Sequence, residues 1–192
     1  MNQSISSKRV LVIGNGMVGH HFVEQLVQQN VHADITVLSG EPRLAYDRVH
    51  LSEFFTGKTA DDLAMTDEPT YQKWGINYVL NAMVTEIDRE AKSVTTESGE
   101  TYQYDTLVMA TGSYPFVPPI PGNSQEHCLV YRTIEDLEAI SASAQQSKVG
   151  VVVGGGLLGL EAANALKQAG LETHVVDFAP HQMGVQLDVE GG

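Results

Sequence analysis

The chain has 192 residues, of which 42% are hydrophobic and 18% are charged, so it can form a globular core and does not have the composition of a disordered chain. A formal net charge of −13, with only 11 Lys and Arg residues, argues against binding to nucleic acid or to an anionic membrane surface. No apolar run approaches the roughly 20 residues that span a bilayer, and residues 1–7 are polar, so the sequence predicts a cytoplasmic protein without a membrane segment.

The first feature along the chain is an apolar run that ends in three spaced glycines. Lys8 to Ile13 is rich in β-branched residues and precedes Gly14-Asn15-Gly16-Met17-Val18-Gly19, which has the spacing G-x-G-x-x-G. This order predicts a buried parallel strand, a tight turn and a helix whose N-terminus binds phosphate, whereas the alternative is an ordinary glycine-rich turn. Helical spacing of apolar residues over 17–30 and a second strand over 33–38 favour the nucleotide site.

The loop after this second strand carries the next candidates. A carboxylate is expected there to hold ribose hydroxyls, but Ser39 follows the strand directly and Glu41 comes two residues later. Glu41 is therefore either a displaced ribose ligand or a solvated loop charge. Farther along, Arg48 stands among aromatic and charged residues, where it either meets a phosphate group or belongs to a surface loop that packs on itself.

The central part of the chain predicts short elements and then a linker. In order, they are a helix over 68–74, a strand over 76–80, a small antiparallel β insertion over 84–104, a return strand over 106–109 and an extended proline-rich linker over 115–122. The return strand ends in Ala110-Thr111-Gly112, which predicts a second backbone approach to the first nucleotide. Thr133 is predicted to cap a helix over 134–145, with Asp136 in its first turn.

The glycine motif recurs 140 residues later. A strand over 148–153 precedes Gly154-Gly155-Gly156-Leu157-Leu158-Gly159, a helix continues to residue 168, and a strand over 173–176 ends directly in Asp177. Asp177 stands where a carboxylate binds a ribose 2′-hydroxyl and repels a 2′-phosphate, so this unit favours NAD over NADP unless a cation in the following loop compensates. Residues 183–188 suggest a further helix start.

Two dinucleotide units imply that two nucleotides meet, and a flavin with a nicotinamide is the chemically sensible pair. The protein then has to stack two rings and exclude water, which fits a sequence without an obvious catalytic triad or metal cluster, so no catalytic side chain and no metal ligand are predicted. The single cysteine, Cys128, excludes an internal disulfide or a C-x-x-C pair and is predicted to be a small buried hydrophobe.

Several longer runs carry a resemblance to a known family. With the first glycine motif, and in this order, they are Tyr46-Asp47-Arg48-Val49-His50-Leu51-Ser52, Ala110-Thr111-Gly112-Ser113-Tyr114-Pro115, Val130-Tyr131-Arg132-Thr133 and Gly154-Gly155-Gly156-Leu157-Leu158-Gly159-Leu160-Glu161. The chain resembles the pyridine nucleotide–disulfide oxidoreductases with two dinucleotide sites, over essentially all of its length. Within them it is most similar to the N-terminal part of the large subunits of NAD(P)H-dependent nitrite reductases.

This resemblance implies the cofactors and their ligands. The expected FAD contacts are Gly14, Gly16, Met17, Val18, Gly19, Glu41, Arg48, Val84 (to the adenine through its backbone), Thr111 and Gly112. The expected NAD(P)H contacts are Gly154, Gly156, Leu158, Gly159, Glu161 near the nicotinamide, and Asp177 at the adenosine ribose. Related reductases often carry a lysine beside flavin N5 where this chain has Glu53, so that role is not transferred, and no redox cysteine pair is present.

The resemblance also implies a fold and an activity. The expected fold is α/β with two Rossmann-like units, the second incomplete: an FAD-binding domain over 1–121 without its return segment and the truncated start of an NAD(P)H-binding domain over 122–192. The expected activity is transfer of hydride from NAD(P)H and delivery of electrons to a sirohaem and an iron–sulfur cluster, which reduce nitrite to ammonia in nitrate assimilation.

Those metal centres are expected only in a missing C-terminal part, so the expected partners are the nicotinamide nucleotide, C-terminal redox domains of the same subunit and, as a further candidate, a small subunit. As a fragment, the chain is expected to bind FAD weakly or not at all, and not to reduce nitrite alone. The alternatives are a stand-alone FAD-dependent ferredoxin or rubredoxin reductase and a nucleotide-binding redox sensor without turnover.

Overall fold

The computed structural model describes residues 7–180, 182–183, 187–188 and 190, so the helix start suggested over 183–188 falls partly outside the described residues. The described part contains these elements in order: β1 (Lys8–Ile13), α1 (Met17–Gln28), β2 (Ala33–Leu38), a short 3₁₀ helix (Leu51–Thr56), α2 (Glu68–Trp74), β3 (Asn77–Val79), β4 (Val84–Asp88), β5 (Ser93–Thr96), β6 (Thr101–Gln103), β7 (Thr106–Met109), α3 (Ile134–Ala144), β8 (Val149–Val153), α4 (Leu157–Gln168) and β9 (Glu172–Val176).

The chain divides into two compact units. The first comprises Met1–Asp47 and Ala64–Ser113, and the second comprises Arg48–Leu63 and Tyr114–Gly192. The segment that carries Arg48 and the 3₁₀ helix therefore groups with the second unit, although it lies between two parts of the first unit in the sequence. The domain division at residue 121 stays a prediction.

The first unit is built on a parallel sheet with the strand order β3-β2-β1-β7. β1 pairs in parallel with β2 over its whole length and with β7 from Val10 to Ile13. The chain therefore leaves β1 toward one side for β2 and β3 and returns on the other side as β7. In sheets of this kind, ligands bind outside the carboxyl ends of the strands, at the point where the order reverses.

β1 is buried on both of its faces. Val10 and Val12 pack in one core with Val23 of α1 and Tyr71 of α2. The alternate residues of β1 pack in a second core formed with the insertion and neighbouring strands, whose buried members are Leu11, Ile13, Leu38, Ala82, Val94 and Tyr104. Because successive side chains of a strand point to opposite faces, the near-continuous apolar run of β1 fits a central parallel strand.

The predicted antiparallel insertion is confirmed as a three-stranded sheet with the order β4-β5-β6. Its strand β5 contributes Val94, which is fully buried in the second core. The insertion therefore covers one face of the parallel sheet, while α1 and α2 contribute to the core on the opposite face of β1.

The second unit contains a two-stranded parallel sheet, β8-β9, against which α4 packs. α3 begins with the predicted cap: Asp136 N donates to Thr133 Oγ1 at 3.2 Å, and Thr133 N donates to Asp136 Oδ2 at 2.8 Å.

The prediction that Cys128 is buried is wrong, because this residue is exposed in an irregular segment, where its Sγ donates to the carbonyl of Gly122. No helix among the described residues is long and apolar enough to cross a bilayer.

Arg9 and Asp105 join β1 to the start of β7. Arg9 donates to the Asp105 carboxylate from its backbone N at 2.8 Å and from Nη2 at 2.9 Å, and Asp105 N donates to Arg9 O at 3.0 Å. The hydrogen bonds from the Arg9 side chain and backbone lower the pKa of Asp105 to about 2. The interaction therefore depends on an ionised carboxylate.

Asp105→Asn is expected to lower the free energy of unfolding at neutral pH and to flatten its decline in acid. The folded-state pKa of about 2 lies below the ordinary value of 3.8, so the contribution of the carboxylate is complete above that ordinary value and is lost as the pH falls toward 2. Urea unfolding at a series of pH values checks this, because the gap between the variant and the wild type should close in acid. Glu97→Gln, in an exposed turn of the same unit, is the control. A gap that does not change with pH contradicts the interpretation.

Candidate dinucleotide-binding sites

The first glycine loop is packed so closely that its first and third positions require glycine. Gly14 has φ +103°, and a Cβ placed on it would lie 2.2 Å from the carbonyl oxygen of Ala110. A Cβ on Gly19 would lie 2.0 Å from the carbonyl oxygen of Gly14. The first glycine therefore makes the turn at the end of β1, and the third lets α1 lie directly on the loop, as the spacing predicts.

The helices that follow the glycine loops begin differently from the other two α-helices. α1 begins after Gly16 and α4 after Gly156, with no side-chain cap and no acidic residue in the first turn. By contrast, α2 is capped by Asp67 and α3 by Thr133, and both carry acidic residues in their first turns. Uncapped N–H groups and the helix dipole favour an anion, so the two glycine-loop helices are suited to a pyrophosphate. In α2 and α3, a capping side chain already accepts a hydrogen bond from an N-terminal N–H group.

A pocket of about 350 Å³ lies in the first unit at the carboxyl ends of β1 and β7. It is lined by Ile13, Met109, Thr111 and the β4 residues 84–87. Two residues that the resemblance assigns to FAD, Val84 and Thr111, thus line one pocket at the reversal point of the sheet. Gly112 follows Thr111 directly at the end of the strand segment.

The remaining FAD candidates of the first unit lie on α1 and after β2. Met17 and Val18, in the first turn of α1, line an apolar depression of about 520 Å³ together with Phe22 and Met65. The Glu41 carboxylate is held in place after β2, because Tyr46 Oη donates to its Oε2 at 2.7 Å. Although Glu41 is displaced from the strand end, the buried Tyr46 holds its carboxylate in position.

The second glycine loop repeats the close approach of the third glycine to the first, but a Cβ on Gly154 would meet nothing within 4 Å among the described residues. Gly154 has φ +116°, and a Cβ on Gly159 would lie 2.0 Å from the carbonyl oxygen of Gly154. A Cβ on Gly156, in contrast, meets nothing within 4 Å among the described residues. The middle glycine of the motif therefore borders open space, as it does where a backbone receives a pyrophosphate. Leu158, in the first turn of α4, is exposed.

Asp177 is bonded to this loop. Its Oδ2 accepts a hydrogen bond from Gly155 N at 2.6 Å, and its Oδ1 accepts one from Ala179 N at 3.0 Å. These backbone hydrogen bonds, from Ala179 and Gly155, lower the pKa of Asp177 and keep it ionised. Because a carboxylate has about four lone-pair sites, Asp177 keeps capacity to accept a further hydrogen bond.

Arg48 and Glu53 lie in the second unit by their contacts. Arg48 Nη1 donates to the carbonyl oxygen of Arg132 at 3.1 Å. Glu53, which stands where related reductases carry a lysine, forms an ion pair with Lys58. The contact of Arg48 with an FAD phosphate stays a prediction.

Tyr131 is a candidate site residue that the sequence pattern did not single out. Its ring stacks on Phe55 with centroids 6.3 Å apart, and its hydroxyl is buried without a hydrogen-bond partner in the part of the chain that the structure describes. Burial and the nearby charge of Glu161 raise the pKa of Tyr131 to about 12. The only signal in the sequence was its place in the Val130-Tyr131-Arg132-Thr133 run, which supported the resemblance but assigned no role to the tyrosine.

A parallel sheet that reverses at β1, with two closely packed G-x-G-x-x-G loops, defines a dinucleotide-binding oxidoreductase fold. Residues 8–190 match the family model of the pyridine nucleotide-disulphide oxidoreductases. The chain belongs to this family, which implies FAD and NAD(P)H as cofactors. The predicted α/β fold with its antiparallel insertion is confirmed.

The relatives sharpen this assignment. The chain is 53% identical over 190 residues to the nitrite reductase (NADH) large subunit of Escherichia coli K12, covering 98% of this chain and 22% of the relative. It is 54% identical over 188 residues to the nitrite reductase [NAD(P)H] large subunit of Klebsiella oxytoca, covering 96% and 20%. The resemblance to this group is thus confirmed, and the chain spans about a fifth of the length of these relatives.

A solved structure shows the same fold. The crystal structure of NADH:rubredoxin oxidoreductase from Clostridium acetobutylicum matches with a TM-score of 0.87 and 28% sequence identity. The match covers 97% of this chain and 49% of that protein. The fold is therefore shared with a reductase that is about twice as long as this chain.

Two glycine variants of the second loop are expected to separate packing from ligand access. Gly159→Ala should destabilise the second unit by about 1–3 kcal/mol or more, because its Cβ would collide with the Gly154 carbonyl. Gly156→Ala, at φ −76°, should change stability by no more than about 1 kcal/mol and still weaken NADH binding, since its methyl group enters the open space. Thermal unfolding and NADH fluorescence titration check both; unchanged NADH affinity in Gly156→Ala contradicts a pyrophosphate at this loop.

Proposed function

We propose that this chain is the FAD- and NAD(P)H-binding module of a nitrite reductase large subunit. The observation that carries the proposal is the identity of 53–54% with such subunits over nearly the whole chain. The two uncapped glycine-loop helices support it, because a reductase of this kind needs two pyrophosphate sites.

In the first unit, the loop Gly14, Gly16 and Gly19, with the first turn of α1 at Met17 and Val18, holds the pyrophosphate of FAD. The other contacts of this unit in the proposal are Glu41 to the ribose, Val84 to the adenine, and Thr111 and Gly112 as the second backbone approach. Arg48, which groups with the second unit, is assigned to the phosphate side of FAD by the resemblance. The pocket that Val84 and Thr111 line at the carboxyl ends of β1 and β7 supports this assignment. The fit of the site to FAD rests on the tight loop, where added Cβ atoms would collide with backbone.

In the second unit, Gly154, Gly156, Leu158 and Gly159 hold the pyrophosphate of NAD(P)H. Asp177 binds the adenosine ribose through its remaining lone pairs, and its negative charge opposes a 2′-phosphate, so NADH is preferred over NADPH. Glu161 lies near the nicotinamide in this assignment. The open space at Gly156 supports the approach of a pyrophosphate to this loop.

The side chains bind and orient the two nucleotides and exclude water, and none is assigned a proton transfer or a covalent step. FAD held at Gly14, Gly16 and Gly19 would supply the redox chemistry of hydride uptake from the nicotinamide and release of single electrons. Sirohaem, an iron–sulfur cluster and the reduction of nitrite to ammonia are assigned to the remainder of a longer subunit, with its C-terminal redox domains and a small subunit as partners. The 192-residue chain alone is not expected to reduce nitrite.

A second candidate is a stand-alone reductase of rubredoxin or ferredoxin. The similarity in fold to NADH:rubredoxin oxidoreductase, at a TM-score of 0.87, favours it. Its sequence identity of 28% is about half of that to the nitrite reductase subunits, which is why the nitrite reductase assignment ranks first.

A version extended to the length of its relatives and supplied with FAD is expected to bind the flavin, and NADH is expected to bleach the flavin absorbance. Extended to the length of its relatives, the protein should oxidise NADH in a nitrite-dependent way, and the 192-residue chain should not. Nitrite-independent reduction of rubredoxin or ferredoxin by the extended protein would favour the second candidate. Bound FAD that NADH does not reduce would instead support a redox sensor.

Asp177→Asn is expected to lower the preference for NADH over NADPH by about tenfold, because it removes the negative charge that opposes the 2′-phosphate while keeping the size of the side chain. Dissociation constants for both nucleotides, measured by fluorescence titration, check this. Glu172→Gln, an exposed carboxylate on the same strand β9, is the matched control and should leave the preference unchanged. An unchanged preference in Asp177→Asn would remove Asp177 from the ribose site.

A further inference from the structure

The one side chain between the first two glycines of the motif is buried in the first unit. Asn15 is only 6% exposed, and its Oδ1 accepts a hydrogen bond from Tyr71 Oη at 2.8 Å. Tyr71 is fully buried in the middle of α2, 56 residues away in the sequence. The glycine loop is therefore bonded to a helix that lies outside the βαβ unit formed by β1, α1 and β2.

The tyrosine is itself held by a second residue. His20, on the second turn of α1 and 4% exposed, places Nδ1 3.1 Å from Tyr71 Oη. Because the single hydroxyl hydrogen of Tyr71 goes to Asn15, His20 Nδ1 must donate to the hydroxyl oxygen. Burial lowers the pKa of His20, which favours the neutral ring. The donor role toward the Tyr71 hydroxyl then places the ring hydrogen on Nδ1. The order of donors is thus His20, Tyr71, Asn15.

An anchor at this position has a physical purpose. Glycine is the residue with the greatest intrinsic backbone freedom, and in the segment Gly14-Asn15-Gly16 a single side chain stands between two glycines. Fixing the Asn15 side chain restricts the peptide groups on both sides of it. These peptide groups lead into the uncapped N-terminus of α1.

At position 15, an apolar side chain would fill this part of the core at a lower free-energy cost than the hydrogen-bonded asparagine. Asn15 Nδ2 is buried and has no hydrogen-bond partner within the described ranges, and a buried donor without a partner is unfavourable. An apolar side chain at position 15 would avoid this, and the backbone there has no positive φ that would favour asparagine. Stability alone therefore does not account for the asparagine.

The second loop has a related anchor with a different partner. Its corresponding residue is Gly155, which has no side chain, and there the backbone N of Gly155 donates to Asp177 Oδ2. In both loops, the residue between the first two glycines is thus bonded to a group from a later part of the same unit. This repetition indicates that the middle of the loop has to be fixed in each case.

We propose that Tyr71 is a positioning residue for FAD: through Asn15, it holds the Gly14-Asn15-Gly16 segment in the shape that receives the pyrophosphate. The proposal rests on the proposed function of the first unit as an FAD site. It adds Asn15, Tyr71 and His20 to the residues on which that site depends, although Tyr71 has no surface through which to touch a ligand.

The test is a double-mutant cycle on FAD binding by the protein extended to the length of its relatives. Tyr71→Phe and Asn15→Ala are each expected to weaken FAD binding by about tenfold, the size expected for the loss of one hydrogen bond. If Tyr71 acts through Asn15, the double variant should bind FAD no more weakly than Asn15→Ala alone. FAD titrations are made at a temperature where circular dichroism shows every variant to be folded.

Tyr78→Phe is the matched control, because Tyr78 packs edge-on against the Tyr71 ring at 5.6 Å but its hydroxyl faces Glu68. It should leave FAD affinity unchanged. Amide hydrogen exchange provides a readout that needs no ligand: Tyr71→Phe should speed exchange at residues 14–19 more than at β5. NADH affinity of the second unit should not change.

Two outcomes would overturn the inference. One is equal FAD affinity in wild type and Tyr71→Phe, and the other is additive losses in the double variant, which would mean that Tyr71 acts independently of Asn15. An extended wild-type protein that binds no FAD while Tyr71→Phe still loosens the loop would overturn the proposed function and leave the anchoring role of Tyr71 supported. Unchanged exchange in the loop would remove that role as well.

Discussion

The structure depends on one close approach: in both units, the third glycine of the motif lies so near the carbonyl of the first that a Cβ would be 2.0 Å from the oxygen. Only because this Cβ is missing can each helix start directly behind its strand. The helix N-terminus then faces the carboxyl end of the strand with its N–H groups uncapped. In the first unit, β1 is buried on both faces and β7 pairs beside it, so packed strands form the base of the resulting crevice.

Each unit has a carboxylate after its second strand, but different residues hold that carboxylate in place. In the second unit, Asp177 follows β9 directly and is held by backbone N–H groups. In the first unit, Ser39 occupies that place, Glu41 comes later, and the hydroxyl of Tyr46 fixes its carboxylate. A displaced carboxylate thus needs a side-chain partner to be held in place, whereas one at the strand end can use the loop itself.

Much of this architecture could be predicted because its signals are local. The strand and glycine order of both units, the antiparallel insertion and the cap at Thr133 follow from periodicity, turn residues and capping preferences, which act within a few residues. Contacts such as Arg9 with Asp105 and Asn15 with Tyr71 join residues 96 and 56 positions apart, and no local pattern marks them. The prediction that Cys128 is buried was wrong, because a general tendency of cysteines to be buried does not decide the position of one residue in an irregular segment.

The groups that hold the middle of the two glycine loops differ in their exposure to solvent, Asp177 being exposed and Tyr71 buried. The anchor of the first loop, Tyr71, is sealed in the core and has no contact with solvent that an arriving molecule could disturb. The anchor of the second loop is a carboxylate at an open strand end, so the group that shapes the loop is also one that an arriving nucleotide meets. Under the proposed function, the buried anchor of the first loop therefore favours a longer residence time for its nucleotide than the exposed anchor of the second loop does.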